Sequence, residues 1–178
     1  MGSKRTFSVA LGGIVSAISL VLLLLASIFP FGTYAFPCFA GMLLLIIIYE
    51  IGYPLTIGVY IAVSILSFLI VPDKESVLYY VMFLGFYPII KNKLDTISSI
   101  VLRYLLKILI FNVCIIAAFY IGLFLLSIPK DSFTIFGLYL PYVFLIIGNI
   151  FFIIYDLCLN VLLRMYIIKL HPIISRKR

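Results

Sequence analysis

The side chains of this sequence that could do chemistry are few and far apart. His171 is the single histidine and stands in a basic tail just before Pro172, so a Ser/His hydrolase or a His-ligated metalloprotease has no material. No paired acidic motif falls within one helix, and no Gly-rich phosphate loop follows a strand. Cys38, Cys114 and Cys158 lie in apolar runs without CxxC-type spacing, which reads as core thiols, not a disulfide framework or a metal site. The expectation is a protein without catalytic residues, metal or cofactor.

What remains are polar groups set in apolar surroundings. Glu50, Lys91 and Asp156 fall at one predicted depth, where they form either a salt-bridged latch among helix ends or a proton or substrate relay. Tyr34, the Asp73-Lys74-Glu75 triplet and Lys130-Asp131 fall at the opposite depth, near Phe31, Tyr79, Tyr80, Phe133 and Tyr139. These are either solvated loop charges or a place to capture a small polar or aromatic ligand. Asn112 and Asn149 would be costly against lipid, so they point inward, to bond another helix or to line a cavity. In Ala10-Leu-Gly-Gly-Ile-Val-Ser-Ala17, Gly12 and Ser16, and Gly13 and Ala17, stand four apart. That spacing makes a groove for close helix approach, inside the bundle or onto a partner protein.

The elements that must position these residues follow from composition. With 66% hydrophobic and 11% charged residues and a mean hydropathy of +1.34, the chain departs from the roughly 45–50% and 25% of soluble domains. It reads as an all-α polytopic membrane protein of one domain, in which about 20 residues per crossing allow six passes. A barrel would need alternating polar and apolar strands instead. No charge falls between Arg5 and Glu50, a run long enough for two passes that must turn at Pro30 to Tyr34. The predicted helices span about 7–29, 36–51, 54–71, 74–90, 106–127 and 135–156, the last extending to about 170. Gly52-Tyr53-Pro54, Pro72-Asp73 and Ile128 to Ser132 divide them, and Asp73 is placed to cap the fourth. Residues 91–107 read as an amphipathic interfacial segment and the longest loop.

Orientation follows from the basic residues, which collect on the cytoplasmic side of a membrane protein. With the amino terminus inside, all of the 13 basic residues except Lys74 and Lys130 fall on that side, which places both termini in the cytoplasm. The net charge of +7 thus reads as orientation at a cell membrane and not as nucleic-acid binding. The apolar stretch after Lys4 and Arg5 is long and lacks a small-x-small cleavage site, so it reads as a retained helix. The formal myristoylation pattern at Gly2 adds little to six spans.

A small, basic six-helix chain with a small-residue groove in its first helix and polar groups among helices 4 to 6 resembles the substrate-binding S components of energy-coupling-factor transporters. The resemblance is architectural and covers almost the whole chain. It implies that Gly12, Gly13, Ser16 and Ala17, in place of the family's alanines, dock on a membrane coupling protein that works with ATPase subunits. It also implies capture of a vitamin-like small molecule from the outer side by Asp73, Lys74, Glu75, Tyr80, Asn112, Tyr142 and Asn149. The lack of tryptophan leaves tyrosine and phenylalanine to stack any aromatic ligand. A chain of similar size and hydropathy could instead resemble the MreD-type rod-shape factors, as a scaffold of a cell-envelope complex docking through residues 91–107 and the basic tail.

Overall fold

Long uncharged runs become helices, and the prolines and glycines decide where each one stops. The computed structural model describes residues 2–29, 32–124, 134–135, 138–139 and 141–170. Helix α1 (Gly2–Ala26) is followed by α2 (Gly32–Ile51) and α3 (Tyr53–Ile70). Then come α4 (Lys74–Tyr79), a π-helical turn (Tyr80–Leu84) and α5 (Tyr87–Asp95). Helix α6 (Ile100–Phe124) precedes a two-residue antiparallel ladder of Thr134–Ile135 with Leu138–Tyr139, and α7 (Pro141–Met165) runs into a second π turn (Tyr166–Leu170). Among the described residues the architecture is all-α apart from that ladder.

Among the described residues five stretches, Thr6–Ala26, Gly32–Ile51, Tyr53–Ile70, Ile100–Phe124 and Leu145–Lys169, are long and apolar enough to cross a membrane. Their outward faces carry Ile61, Ile65 and Leu69 on α3, Val101, Leu105 and Val113 on α6, and Ile146, Ile150 and Val161 on α7, all exposed. Apolar faces of this extent suit lipid and not water. The chain is a multi-pass membrane protein.

Several boundaries differ from the sequence expectation. Helix α2 starts at Gly32, not near 36, because Pro37 falls within its second turn, where one missing N–H is tolerated. Residues 91–107 are no loop: Lys91 to Asp95 finish α5, Ile100 to Lys107 open α6, and only 96–99 connect them. Helix α7 begins at Pro141, after the ladder, and not at 135. Cys38 is buried, but Cys158 is exposed on the outer face and not a core thiol. The connection expected at 128–132 and the tail from His171 lie outside the described residues.

Gly52 makes the reversal between α2 and α3. Its φ of 96° lies in the region that L side chains avoid, while its N–H closes α2 on the Ile47 and Ile48 carbonyls.

The most buried stretch is the broken segment Lys74–Asp95. Val77 and Tyr80 join a core with Val15 and Leu23 of α1, Leu44 of α2 and Val63 of α3. Phe83, Leu84 and Tyr87 join a second core with Leu45 of α2, Phe111 of α6 and Phe152 and Tyr155 of α7. The segment thus ties the α1–α3 half to the α6–α7 half.

Its break has a local cause. Pro88 has no N–H to give the Leu84 carbonyl one helical turn before it. The Tyr155 hydroxyl of α7 donates to that oxygen instead, at 2.8 Å. The Gly85 N–H reaches back to Tyr80 O in the wider π register, and Val81 O takes the Tyr60 hydroxyl of α3 at 2.6 Å. Two tyrosines from neighbouring helices therefore satisfy what the broken helix leaves open.

Candidate functional site

The polar residues gather at two ends of the bundle. At one end Asp73 caps α4: its Oδ1 accepts the Glu75 and Ser76 backbone N–H groups at 3.1 and 3.3 Å. Its Oδ2 accepts the Thr33 hydroxyl, and its backbone N–H donates to Ser27 Oγ. Lys74 turns away from both acids. Its ammonium donates to Phe68 O and Val71 O, closing the end of α3, and lies over the Phe68 ring. These two residues of the expected ligand set therefore hold helix ends.

Glu75 is differently placed. Its Oε1 accepts the Tyr34 hydroxyl at 3.3 Å and the Tyr79 hydroxyl at 3.0 Å, and the two rings lie 5.2 Å apart. The structure thus brings Tyr34 and Glu75 together and adds Tyr79. Among the described residues neither Asp73 nor Glu75 has a cationic partner. Tyr80 does not join them. It is buried against Tyr60 and the backbone at Gly85, with no hydrogen-bond partner for its hydroxyl among the described residues. The side chains of Lys130, Asp131 and Tyr142 lie outside the described residues.

Asn112 and Asn149, both partly buried, meet between α6 and α7. Each amide donates to the other's oxygen at 3.0 Å, and each also donates to the carbonyl one turn back on its own helix. Every donor and both oxygens of the pair are used, so of the two roles expected of them, bonding another helix is the one observed. Asn112→Leu alone is expected to destabilise the fold by about 1–3 kcal/mol, because it takes from Asn149 its partner across two apolar, membrane-spanning helices. The double change Asn112→Leu/Asn149→Leu should cost less than the sum of the singles. Unfolding in detergent measures the difference, and simple additivity would show that the amides do not depend on each other.

At the opposite end, four charged side chains from three elements form one network. The Lys91 ammonium lies 2.7 Å from Asp95 and 2.8 Å from Asp156, and Lys107 lies 2.7 Å from Asp95 and 3.0 Å from Asp156. The Tyr87 hydroxyl donates to Asp156 at 2.5 Å. Lys91, Lys107 and Asp156 are 1%, 2% and 3% exposed, and Asp95 is 31% exposed. Two cations against two anions make the network neutral, which a buried site of low polarity requires.

Lys91 and Asp156 thus meet as their predicted common depth suggested, while Glu50 accepts the Tyr166 hydroxyl at 2.8 Å. Lys107 and Asp95 were missed because residues 91–107 read as an interfacial surface. The available signal was Lys107 itself, flanked by Leu105, Leu106, Ile108 and Leu109, a setting in which a lysine needs a buried partner.

The helix 1 groove divides between two faces. Gly12 packs inward, where a Cβ would meet Leu55 and Val59 of α3 at 3.1 and 3.2 Å, and the Ser16 hydroxyl bonds Gly12 O. Gly13 and Ala17 are exposed, and a Cβ on Gly13 would meet nothing within 4 Å. Compared with protein-family models, curated proteins and solved structures, the chain matches none of them.

Proposed function

We propose that this chain is the membrane-embedded capture subunit of a multi-subunit small-molecule importer, of the energy-coupling-factor S-component kind, with no catalytic step of its own. The broken segment would be its fourth of six crossings, the Lys91 end would face the cytoplasm together with both termini, and the Glu75 end would face outward at the cell membrane. The observation that carries this reading is the divided groove of α1. Gly12 and Ser16 serve the fold, while Gly13 and Ala17 leave an open strip where another helix can approach closely. Support for capture comes from Glu75, flanked by Tyr34 and Tyr79 at the opposite end. ATPase subunits and a coupling protein would supply the energy that the chain itself has no motif to harvest.

The two faces of α1 give the test. Gly13→Leu should leave the unfolding temperature within a few degrees of wild type but abolish co-purification of a coupling protein and ATPases from native membranes. Gly12→Leu should instead destabilise the chain by about 1–3 kcal/mol, through overpacking against Leu55 and Val59. Mass spectrometry of the wild-type complex should find a retained small molecule. A ligand-free preparation, with Gly13→Leu still bound to all its partners, would sink the reading.

A scaffold role in a membrane or cell-envelope complex of the MreD type is a second reading. It is favoured by the mutual satisfaction of the Asn112–Asn149 pair and of the Lys/Asp network, both of which bind helices to one another. Co-purification with cell-wall proteins and no ATPase would support it.

A further inference from the structure

Arg103 carries a charge that the described residues leave unanswered. Among the described residues it makes no ion pair, and its Nε is buried without an acceptor, a rare and costly condition for a charged donor. Lys107 follows one turn later on the same face of α6. Its ammonium lies over the Tyr104 ring and bonds both carboxylates of the network. Of those carboxylates Asp156 is enclosed and also held by Tyr87. Asp95 is 31% exposed and is the last residue of α5. It is the one member of the network that reaches water.

We propose that the start of α6 holds an oxyanion site for a phosphate group, with Arg103 as its open donor, Lys107 and Lys91 as its charge, and Asp95 as the chain's own displaceable occupant. With Asp95 in place, two ammoniums face two carboxylates. With Asp95 swung out, they face Asp156 alone, and the buried excess of positive charge favours an incoming anion. A phosphate suits the site because its oxygens accept from several directions at once, as an Arg and two Lys present them. A lipid headgroup and free phosphate share this chemistry. The inference does not depend on the capture reading.

The test uses the full chain in a neutral detergent, with thermal unfolding followed against inorganic phosphate and, separately, a short-chain phosphatidic acid. Sodium chloride at matched ionic strength is the control. A saturable rise in unfolding temperature is expected with at least one phosphate probe. Its midpoint should move to about tenfold higher concentration or more in Arg103→Gln, the loss of one charged hydrogen bond. In Asp95→Asn, which removes the competing carboxylate, it should move to lower concentration. A response to inorganic phosphate shows that the free group suffices; a response to the lipid alone identifies the headgroup as the source. Arg103→Gln breaks no side-chain bond among the described residues, so it remains informative should Asp95→Asn fail to fold. Unfolding temperatures that follow ionic strength alone, or an unchanged midpoint in Arg103→Gln, overturn the proposal.

Discussion

Lys107→Met is expected to cost about 3–5 kcal/mol of folding stability, the loss seen when one partner of a buried ion pair is removed. Methionine matches the lysine stem in length, so the packing survives and the charge alone is lost. Asp156, at 3% exposure, would then share Lys91 with Asp95, leaving a buried excess of negative charge. Asp156→Leu should be costly for the opposite reason, because Lys91 and Lys107 would face only the partly exposed Asp95. The double change Lys107→Met/Asp156→Leu leaves Lys91 paired with Asp95 and should be less damaging than either single. That sign distinguishes a charge-balanced network from independent surface contacts. Reversible unfolding in detergent gives all three values, and single losses below about 1 kcal/mol would place the network in the class of solvent-screened pairs.

The network also shows where sequence reading reaches its limit in this chain. Charge-free runs bounded by Pro and Gly gave the helices and the membrane setting, because a bilayer demands continuous apolar helix whatever the tertiary contacts are. Capping by Asp73 was legible for the same reason: a cap is local. The pairing of Lys107 with Asp156 is not local. It depends on the antiparallel register of α6 and α7, which also stacks Phe111 on Phe152 at 4.9 Å and pairs Asn112 with Asn149. Residue numbers rise on one helix as they fall on the other, yet nothing in the sequence says which two helices are neighbours. The Lys91–Asp95 spacing of one turn was visible, but reading 91–107 as a surface loop hid it. Lys74 shows the converse error. Its place beside two acids suggested a mixed-charge ligand site, whereas the exposed carbonyls at the end of α3 take its ammonium.

Gly41→Ala is the second large effect expected, and it tests how the broken segment is held. A Cβ at this position of α2 would collide with the Leu84 carbonyl oxygen and would lie 2.7 Å from the Tyr155 hydroxyl and 2.9 Å from the Leu84 carbonyl carbon. Leu84 is backbone at the foot of the π turn, so it cannot yield as a side-chain tip would. Helix α2 must move away or the Tyr155–Leu84 bond must break. Overpacking of about 1–3 kcal/mol and the loss of a buried hydrogen bond of about 1 kcal/mol put the total at about 2–4 kcal/mol. Gly13→Ala is the control: its Cβ meets nothing within 4 Å, and alanine favours helix by about 1 kcal/mol over glycine, so its unfolding temperature should rise or stay level. Tyr155→Phe should not rescue Gly41→Ala, because removing the hydroxyl leaves the clash with the Leu84 carbonyl in place and leaves that oxygen without its donor. Rescue by Tyr155→Phe would mean that the hydroxyl alone was in the way. Pro88, Tyr155 and Gly41 form one causal chain: the proline frees a carbonyl, the tyrosine of α7 satisfies it, and the glycine of α2 leaves room for both.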